Sequence, residues 1–392
     1  MIDYIVVGSG LAGAVISQQI ATKLDKKILL IEKRNHIGGN CYDFKDENNI
    51  LVHKYGPHLF HTNDKEVVDY LSNFTSWDIY NHEVLAYIDG KKVPIPFNFN
   101  TLYKVFPQKK AKILEKKLLE NFEYNSKISI LELKKSKDKD LLFLANFIYE
   151  KIFANYTAKQ WGGVKLEDMS SVVWSRVPIF IGCDNRYFND KYQMLPKNGY
   201  TKMIENMLEH KNIKLMLNTD FKEICSIKNR DFYFFDTKFD GKVIVTSQID
   251  ELFEYKFGEL PYRSVNMVFE SINKEFYQEK ATINYPNDYD FTRVTEFKHM
   301  YETNLDKTSK TTILKEYPKE YKKGLNTPYY PVFTDENHKK YNRYLEYSKE
   351  FKNLLLLGRL AQYKYYDMDD IVKRALEVFQ KNILNNTKKE PN

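Results

Sequence analysis

Three glycines and one acid carry the first chemistry legible in this chain. Ile5-Val6-Val7 runs into Gly8-Ser9-Gly10-Leu11-Ala12-Gly13, and Ile28-Leu29-Leu30-Ile31 runs into Glu32. A strand, a G-x-G-x-x-G turn, a helix and a second strand ending in an acid form the fingerprint of a dinucleotide site. Gly8 allows the tight turn, Gly10 lets a pyrophosphate approach the backbone, and Gly13 lets the helix pack closely on the strand. The helix N-terminus offers free N–H groups and a partial positive charge to the phosphates. Glu32 is suited to accept hydrogen bonds from a ribose.

The next residues indicate which dinucleotide. Arg34-Asn35-His36-Ile37-Gly38-Gly39 has the R-x-x-x-G-G spacing that resembles the second motif of FAD-binding oxidases and mutases, and FAD is favoured over NAD. At the other end, Gly358-Arg359 leads to Tyr363, Tyr365, Tyr366, Asp367, Met368, Asp369 and Asp370, between an apolar strand and a helix. Acids at a helix start are favoured by its positive end. The same end, aimed at a flavin, would stabilise negative charge on the reduced pyrimidine ring.

Elements to position these groups follow from the pattern. Alternation at the start predicts a strand over 3–8, a helix over 12–23 and a strand over 28–32. Val67, Val68, Leu71 and Phe74 stand at helical spacing with Asn63 as the expected N-cap. Residues 83–88 and 91–95 predict a hairpin around Asp89-Gly90. From about 101 to 155 the pattern is helical, with Ile113, Leu114, Leu118 and Phe122 expected on one buried face and a second helix over 141–153. Residues 201–208 predict a helix, and 213–217, 232–235 and 243–245 short strands. Residues 262–270, 281–285, 291–297 and 311–316 alternate like an antiparallel sheet. Asn353–Gly358 predicts a fully buried strand. The last helix is expected to bury Ile371, Val372, Ala375, Leu376 and Phe379.

The fold class expected is α/β: a Rossmann-like FAD-binding domain interleaved with a helical-bundle domain and an antiparallel β-sheet domain. The FAD-binding part is drawn from 1–80, 201–260 and 336–392, the sheet domain from 81–100, 156–200 and 261–335, and the helical domain from 101–155.

Composition excludes more than it assigns. The 392 residues carry 60 basic and 53 acidic side chains, a net charge of +7, spread without a basic tract that would argue for nucleic acid. Three cysteines, Cys41, Cys183 and Cys225, are too scattered for a disulfide framework or a metal cluster, and no metal is expected. They suggest a reducing, cytoplasmic setting. The first residues read as a core strand, which leaves no room for a signal peptide, and no apolar run approaches a membrane span.

Five segments then carry a family resemblance: 31–40 (IEKRNHIGGN), 53–64 (HKYGPHLFHTND), 156–162 (YTAKQWG), 328–331 (PYYP) and 358–368 (GRLAQYKYYDM). In this order they resemble the bacterial UDP-galactopyranose mutases. The resemblance implies an isomerase that converts UDP-galactopyranose to UDP-galactofuranose for surface polysaccharides, with FAD active in its reduced form and no net redox. In the family mechanism flavin N5 attacks the anomeric carbon, and the sugar–flavin adduct opens through an iminium before reclosing as the five-membered ring. A homodimer and an unidentified reductant of the flavin are implied as well.

The resemblance also assigns residues. Arg176 and Arg293 match two essential arginines that would hold the diphosphate, and Arg176 falls in 168–179, which resembles a mobile loop. His58 and His61 would lie near flavin and sugar. Phe153, Tyr156, Thr157, Trp161, Tyr187, Asn284, Tyr330, Tyr365 and Asp367 match substrate contacts, with Phe153 and Tyr187 suited to pack on uracil. Ala12, Lys33, Asn40, Leu59, Arg359, Tyr366 and Met368 join Gly8, Gly10, Gly13, Glu32, Arg34 and Gly39 around the cofactor, and Asp367 and His58 touch both. His82 stands where the family has asparagine, Ile152 replaces an aromatic residue, and the stretch from Tyr156 to Arg176 is one residue longer. Three other readings stay open: the same chemistry on UDP-GalNAc, an FAD oxidoreductase of the amine-oxidase type, and a flavin-less binding module of the same fold.

Overall fold

A computed structural model describes residues 1–160, 178–305 and 309–385. Its centre is a five-stranded parallel sheet in the order Ile213–Met216, Ile28–Ile31, Tyr4–Val7, Lys242–Val245, Leu354–Leu356. The strand over Tyr4–Val7 is followed on one side by Ile28–Ile31 and on the other, much later, by Lys242–Val245. Strand order therefore reverses beside it, and open α/β sheets bind ligands at such a point, outside the carboxyl ends of the strands. Gly8 and Gly10 sit there. The helix Leu11–Leu24 buries almost its whole first half and packs against Gly199–Leu208 and the last helix, Met368–Val378.

The second large element is a seven-stranded sheet: Tyr330–Pro331, Tyr262–Ile272, Thr311–Glu320, Arg293–Glu296, Thr282–Asn284, Val84–Ile88, Lys91–Ile95. All neighbours are antiparallel except Thr282–Asn284 with Val84–Ile88, which come from distant parts of the chain. The predicted hairpin is present, with Asp89 at φ 48° and Gly90 at φ 82°, the paired positive φ of a type I′ turn. Beyond the hairpin, helices over Phe99–Val105, Gln108–Asn121, Ile130–Lys134 and Lys139–Ile148, the last running on through Tyr149–Ala154 and Asn155–Gln160, share one apolar core with it. The fold is thus α/β, a Rossmann-like domain combined with a helical region and a largely antiparallel sheet. Among the described residues no helix is long and apolar enough to cross a membrane.

Several local expectations need correction. Asp64 caps the helix Lys65–Leu71, accepting from the Glu66 N–H at 2.9 Å. Asn63 is occupied elsewhere, by Asp190 and the Lys191 N–H. Ile113 is 48% exposed. It stands about 100° round the helix from Leu114, and the buried stripe is Ala111, Leu114 and Leu118, with Phe122 only partly covered. The strand Leu354–Leu356 is half-buried, because it is the sheet's outer strand. In the last helix Val372, Ala375 and Val378 are fully covered, whereas Ile371 and Leu376 are partly so.

Candidate active site: two cavities that share a wall

The first cavity follows the carboxyl edge of the parallel sheet. Val7, Gly8, Gly10, Leu11, Ala12, Ile31, Glu32, Lys33, Arg34, Gly39 and Asn40 line one side, and Thr246, Gln248, Arg359, Tyr366, Asp367 and Met368 the other. Backbone makes most of its shape. A Cβ on Gly39 would sit 2.8 Å from the Gly10 Cα, and one on Gly8 only 2.2 Å from the Thr246 hydroxyl oxygen. The helix from Leu11 starts with no side-chain cap, so its first N–H groups are left for a ligand. Gly13 does not line the cavity. A Cβ there would lie 1.9 Å from the Gly8 carbonyl oxygen, so its part is to let the helix close onto the turn.

Polar side chains fix the rim. Glu32 accepts hydrogen bonds from the Ser9 N–H and hydroxyl, both 2.9 Å, and from the Arg34 N–H at 3.0 Å. Arg34 donates to Asn40 Oδ1 at 3.0 Å and covers the Tyr55 ring at 4.5 Å, while its buried Nη1 has no partner among the described residues. A desolvated guanidinium N–H left open beside a cavity is costly unless something fills it. Uncapped helix, glycine cradle and open guanidinium together fit a bound dinucleotide. Cys41, buried in the same wall, has its thiol pushed up to about 12 by burial and is inert there.

The second cavity lies against the seven-stranded sheet and shares Asn40, His58, Tyr329, Arg359, Asp367 and Met368 with the first. Its other walls are Leu59, His61, His82, Tyr156, Tyr187, Asn284, Arg293, Tyr330 and Tyr365, with Tyr55, Phe188, Arg263, Thr282 and Glu316. Side chains make this site. Arg293 donates from Nε to the buried Glu316 carboxylate at 2.5 Å, a pair set by strand register, since the two residues stand opposite each other. Tyr330 stacks on Tyr365 with ring centres 5.9 Å apart, and the Arg359 guanidinium lies 5.2 and 5.0 Å from the two rings. Arg359 also donates to the Tyr366 carbonyl at 2.6 Å, which ties the shared wall to the start of the last helix.

Three histidines meet this cavity. Burial holds His58 down to about 4, with Arg359 and Arg293 acting in the same direction against the Gly56 carbonyl. Nδ1 of His58 faces that carbonyl at 2.8 Å, so the neutral ring carries its proton there. His82 is held down to about 3, by burial first and then by Arg293 and His61. His61 has Nδ1 2.9 Å from Asp190 Oδ2 and stacks on Phe188 at 3.6 Å. Burial raises the Tyr156 hydroxyl above its usual range, so it is a hydrogen-bonding group and not an anion. Two buried oxygens lining the cavity, Thr282 Oγ1 and Asn284 Oδ1, have no partner among the described residues. They sit two residues apart on one strand, so they face the same side. An orphaned hydroxyl and an orphaned amide oxygen suit a ligand rich in hydroxyls.

Most residues singled out from the sequence are thus brought to one of the two cavities. Phe153 is an exception: it is buried in the apolar core of the helical region and lines neither cavity. Its position follows from the widened helical turn over Tyr149–Ala154, which turns Ile152 and Phe153 inward. Thr157 is buried and also lines neither. Trp161 and Arg176, with most of 168–179, lie outside the described residues. Sequence reasoning missed Ser9, Tyr55, Phe188, Asp190, Arg263, Thr282 and Glu316. Phe188 and Asp190 follow Tyr187 closely in the chain, and that proximity was their only signal.

Fold and cavities define a Rossmann-type dinucleotide-binding enzyme whose cofactor cleft opens directly onto a second, cationic and hydroxyl-lined cavity. Residues 151–365 match the family model of UDP-galactopyranose mutase, and residues 6–74 that of an NAD(P)-binding Rossmann-like domain. The UDP-galactopyranose mutase of Mycoplasma pneumoniae is 33% identical, over 95% of this chain and 94% of its own. The dTDP-fucopyranose mutase of Escherichia coli is 31% identical, over 97% and 98%. Among solved structures, a reduced UDP-galactopyranose mutase superposes with a TM-score of 0.73 at 16% identity, over 100% of this chain and 95% of that one. The chain belongs to the UDP-galactopyranose mutase family, a family of flavin-dependent isomerases.

Proposed function

We propose that this enzyme interconverts UDP-galactopyranose and UDP-galactofuranose with FAD in its reduced form. The observation that carries the reading is the shared wall: His58, Arg359, Asp367 and Met368 border both the dinucleotide cradle and the cavity that holds Arg293 and the two orphaned oxygens. When bound and reduced, the flavin supplies a nucleophilic N5 toward the anomeric carbon, with no net redox, and the protein supplies position and charge.

The residues divide that task. The N-terminus at Leu11 suits the cofactor's pyrophosphate, and Glu32 its ribose. The N-terminus at Met368 is suited to hold negative charge on the reduced ring. Arg293, held by Glu316 through Nε, keeps its terminal nitrogens for the substrate diphosphate, which gains charge as it leaves. Tyr156, Tyr330 and Tyr365 offer hydroxyls beside it, and Tyr187 a ring for the base. Trp161, Thr157 and Arg176 belong to the reading through the resemblance, with Arg176 brought in by loop closure.

The test is direct. Dithionite-reduced protein is incubated with UDP-galactofuranose and with its N-acetyl analogue, and the products are separated. Conversion that requires the reduced flavin and consumes neither oxygen nor NADPH is the expected result. Turnover that consumes oxygen or NADPH in step with product, or a protein that cannot be loaded with FAD, would defeat the reading. The relative named for dTDP-fucopyranose adds a thymidine diphosphate sugar to the panel. A homodimer, cytoplasmic location and supply of galactofuranose to surface polysaccharide go with this function.

A further inference from the structure

One carboxylate beside the second cavity, Asp190, is held against His61. Asp190 sits at the start of the segment that leads into the strand Tyr192–Pro196, which pairs with Phe60–Thr62 so that Gln193 faces His61. Its two oxygens are used separately. Oδ2 lies 2.9 Å from His61 Nδ1, and Oδ1 accepts from Asn63 Nδ2 at 2.7 Å. Asn63 cannot turn its amide round, because its Oδ1 already accepts the Lys191 N–H at 2.8 Å. The chain is Lys191 backbone to Asn63, Asn63 to Asp190, and His61 to Asp190. Each link fixes the direction of the next.

A carboxylate only accepts, so Nδ1 of His61 must carry a proton. A neutral ring then presents a lone pair at Nε2. Phe188 covers one face of the ring, His61 lines the second cavity, and Nε2 has no partner among the described residues. We propose that Asp190 is a positioning residue. It holds His61 in the Nδ1–H tautomer so that Nε2 accepts a hydrogen bond from a hydroxyl of the nucleotide sugar. This inference rests on the mutase reading for the identity of the ligand, and on the hydrogen-bond chain alone for the tautomer. It also assigns a contact for a donor, where Thr282 and Asn284 leave open acceptors, so the cavity would read several hydroxyls as donors at once.

The chain supplies its own test. In Asp190→Asn, the amide must offer its oxygen to Asn63 Nδ2, which leaves its NH2 toward His61. Nδ1 must then accept, and the proton moves to Nε2 with almost no change of shape. In Asn63→Asp/Asp190→Asn, residue 63 accepts from the 190 amide, whose oxygen returns to His61, and the first tautomer is restored. Nitrogen-15 NMR of histidine-labelled holoenzyme reads the tautomer, and initial rates with UDP-galactofuranose on reduced enzyme read the consequence.

The expected result is Nδ1–H in the wild type, Nε2–H in Asp190→Asn with kcat/KM lowered about ten- to hundred-fold at unchanged FAD content, and recovery of both in the double variant. A wild-type ring protonated at Nε2 overturns the proposal without any variant. So does a single variant that flips the ring and keeps full kcat/KM, or a double variant that restores the ring and not the rate. Should Asp190→Asn fail to fold, the wild-type spectrum and the double variant still decide. A wild type with no mutase activity defeats the functional reading instead, and leaves the tautomer to be judged by NMR.

Discussion

The two cavities touch, yet they are made of different material. The cofactor cleft is mostly backbone: Gly10 against Gly39, Gly8 against Thr246, an uncapped helix end and the tips of parallel strands. The substrate cavity is mostly side chain: Arg293 on Glu316, Tyr330 on Tyr365, His61 on Phe188. Backbone sites tolerate little change because shape itself is the function. Side-chain sites tolerate substitution in the fold and lose chemistry instead. The contrast can be broken by experiment, beginning with the largest effect.

Gly13→Val tests the backbone side. The added Cβ meets the Gly8 carbonyl at 1.9 Å, so the helix must move off the turn. The purified protein is expected to lose its bound flavin and several degrees of melting temperature. A yellow protein of normal stability would end the claim that close packing here makes the cleft. Arg293→Ala tests the other side. It is expected to lower kcat/KM about a hundred-fold or more while the flavin spectrum persists. Loss of flavin in that variant would erase the division between the cavities.

Acid sharpens the comparison, since His58 and His82 line the second cavity and His53 lies beside His58. Burial holds His53 well below 6.5, His58 at about 4 and His82 at about 3. Above pH 6.5 these rings are neutral whether folded or not, so stability is undiminished. As pH falls below 6.5 the unfolded chain takes up protons that the folded rings refuse, and stability is lost down to about pH 4 for His58 and pH 3 for His82. Asp250, raised to about 6 by burial, acts the other way, gaining relative stability as pH falls below 6. Asp43, also raised by burial, adds to Asp250, and His36, also lowered, adds to the rings. The rings still outweigh the two carboxyls, and urea midpoints should report a loss on the order of a few kcal/mol between pH 6.5 and 5. A flat profile would mean that the rings are better solvated than their surroundings indicate.

Two smaller changes separate ligand binding from folding. Thr282→Val removes an orphaned hydroxyl. The free protein should be as stable or slightly more so, and KM should rise by a few-fold, about 1 kcal/mol. An unchanged KM would remove Thr282 from the substrate cavity's working surface. Asp64→Ala deletes a helix cap. It should cost about 1 kcal/mol in denaturant titration with kcat and KM unmoved, and any shift in either would show that the last helix, linked to Asp64 through Lys373 at 2.6 Å, transmits strain to the shared wall.

The same contrast explains what the sequence revealed. Gly8, Gly10, Gly13, Glu32, Arg34 and Gly39 fall within a short stretch, and their spacing encodes the backbone they make. The cofactor cleft was therefore largely legible. Arg293 and Glu316 are joined by the register of two strands, and no spacing rule contains that register. Phe153, which the resemblance suits to pack on uracil, lies in the core, because a widened turn shifts the helical phase by about one residue. Ile113 was misplaced for a similar reason: a run of apolar neighbours does not say which one faces in. The resemblance supplied most of the second cavity, whereas Asp190 and Thr282 became visible only through hydrogen-bond partners, present or missing.

The order of strands in the parallel sheet has a consequence in time. Tyr4–Val7 is made before its neighbour on one side, Lys242–Val245, which leaves the ribosome on the order of ten seconds or more later. The cradle's far wall, Arg359 to Met368, comes later still. Until then the first strand has an open edge, and such edges invite wrong partners. A cofactor held between the two ends of a chain cannot be gripped by a growing one. Cofactor capture is then a closing event, available only once both walls of the cradle have been made.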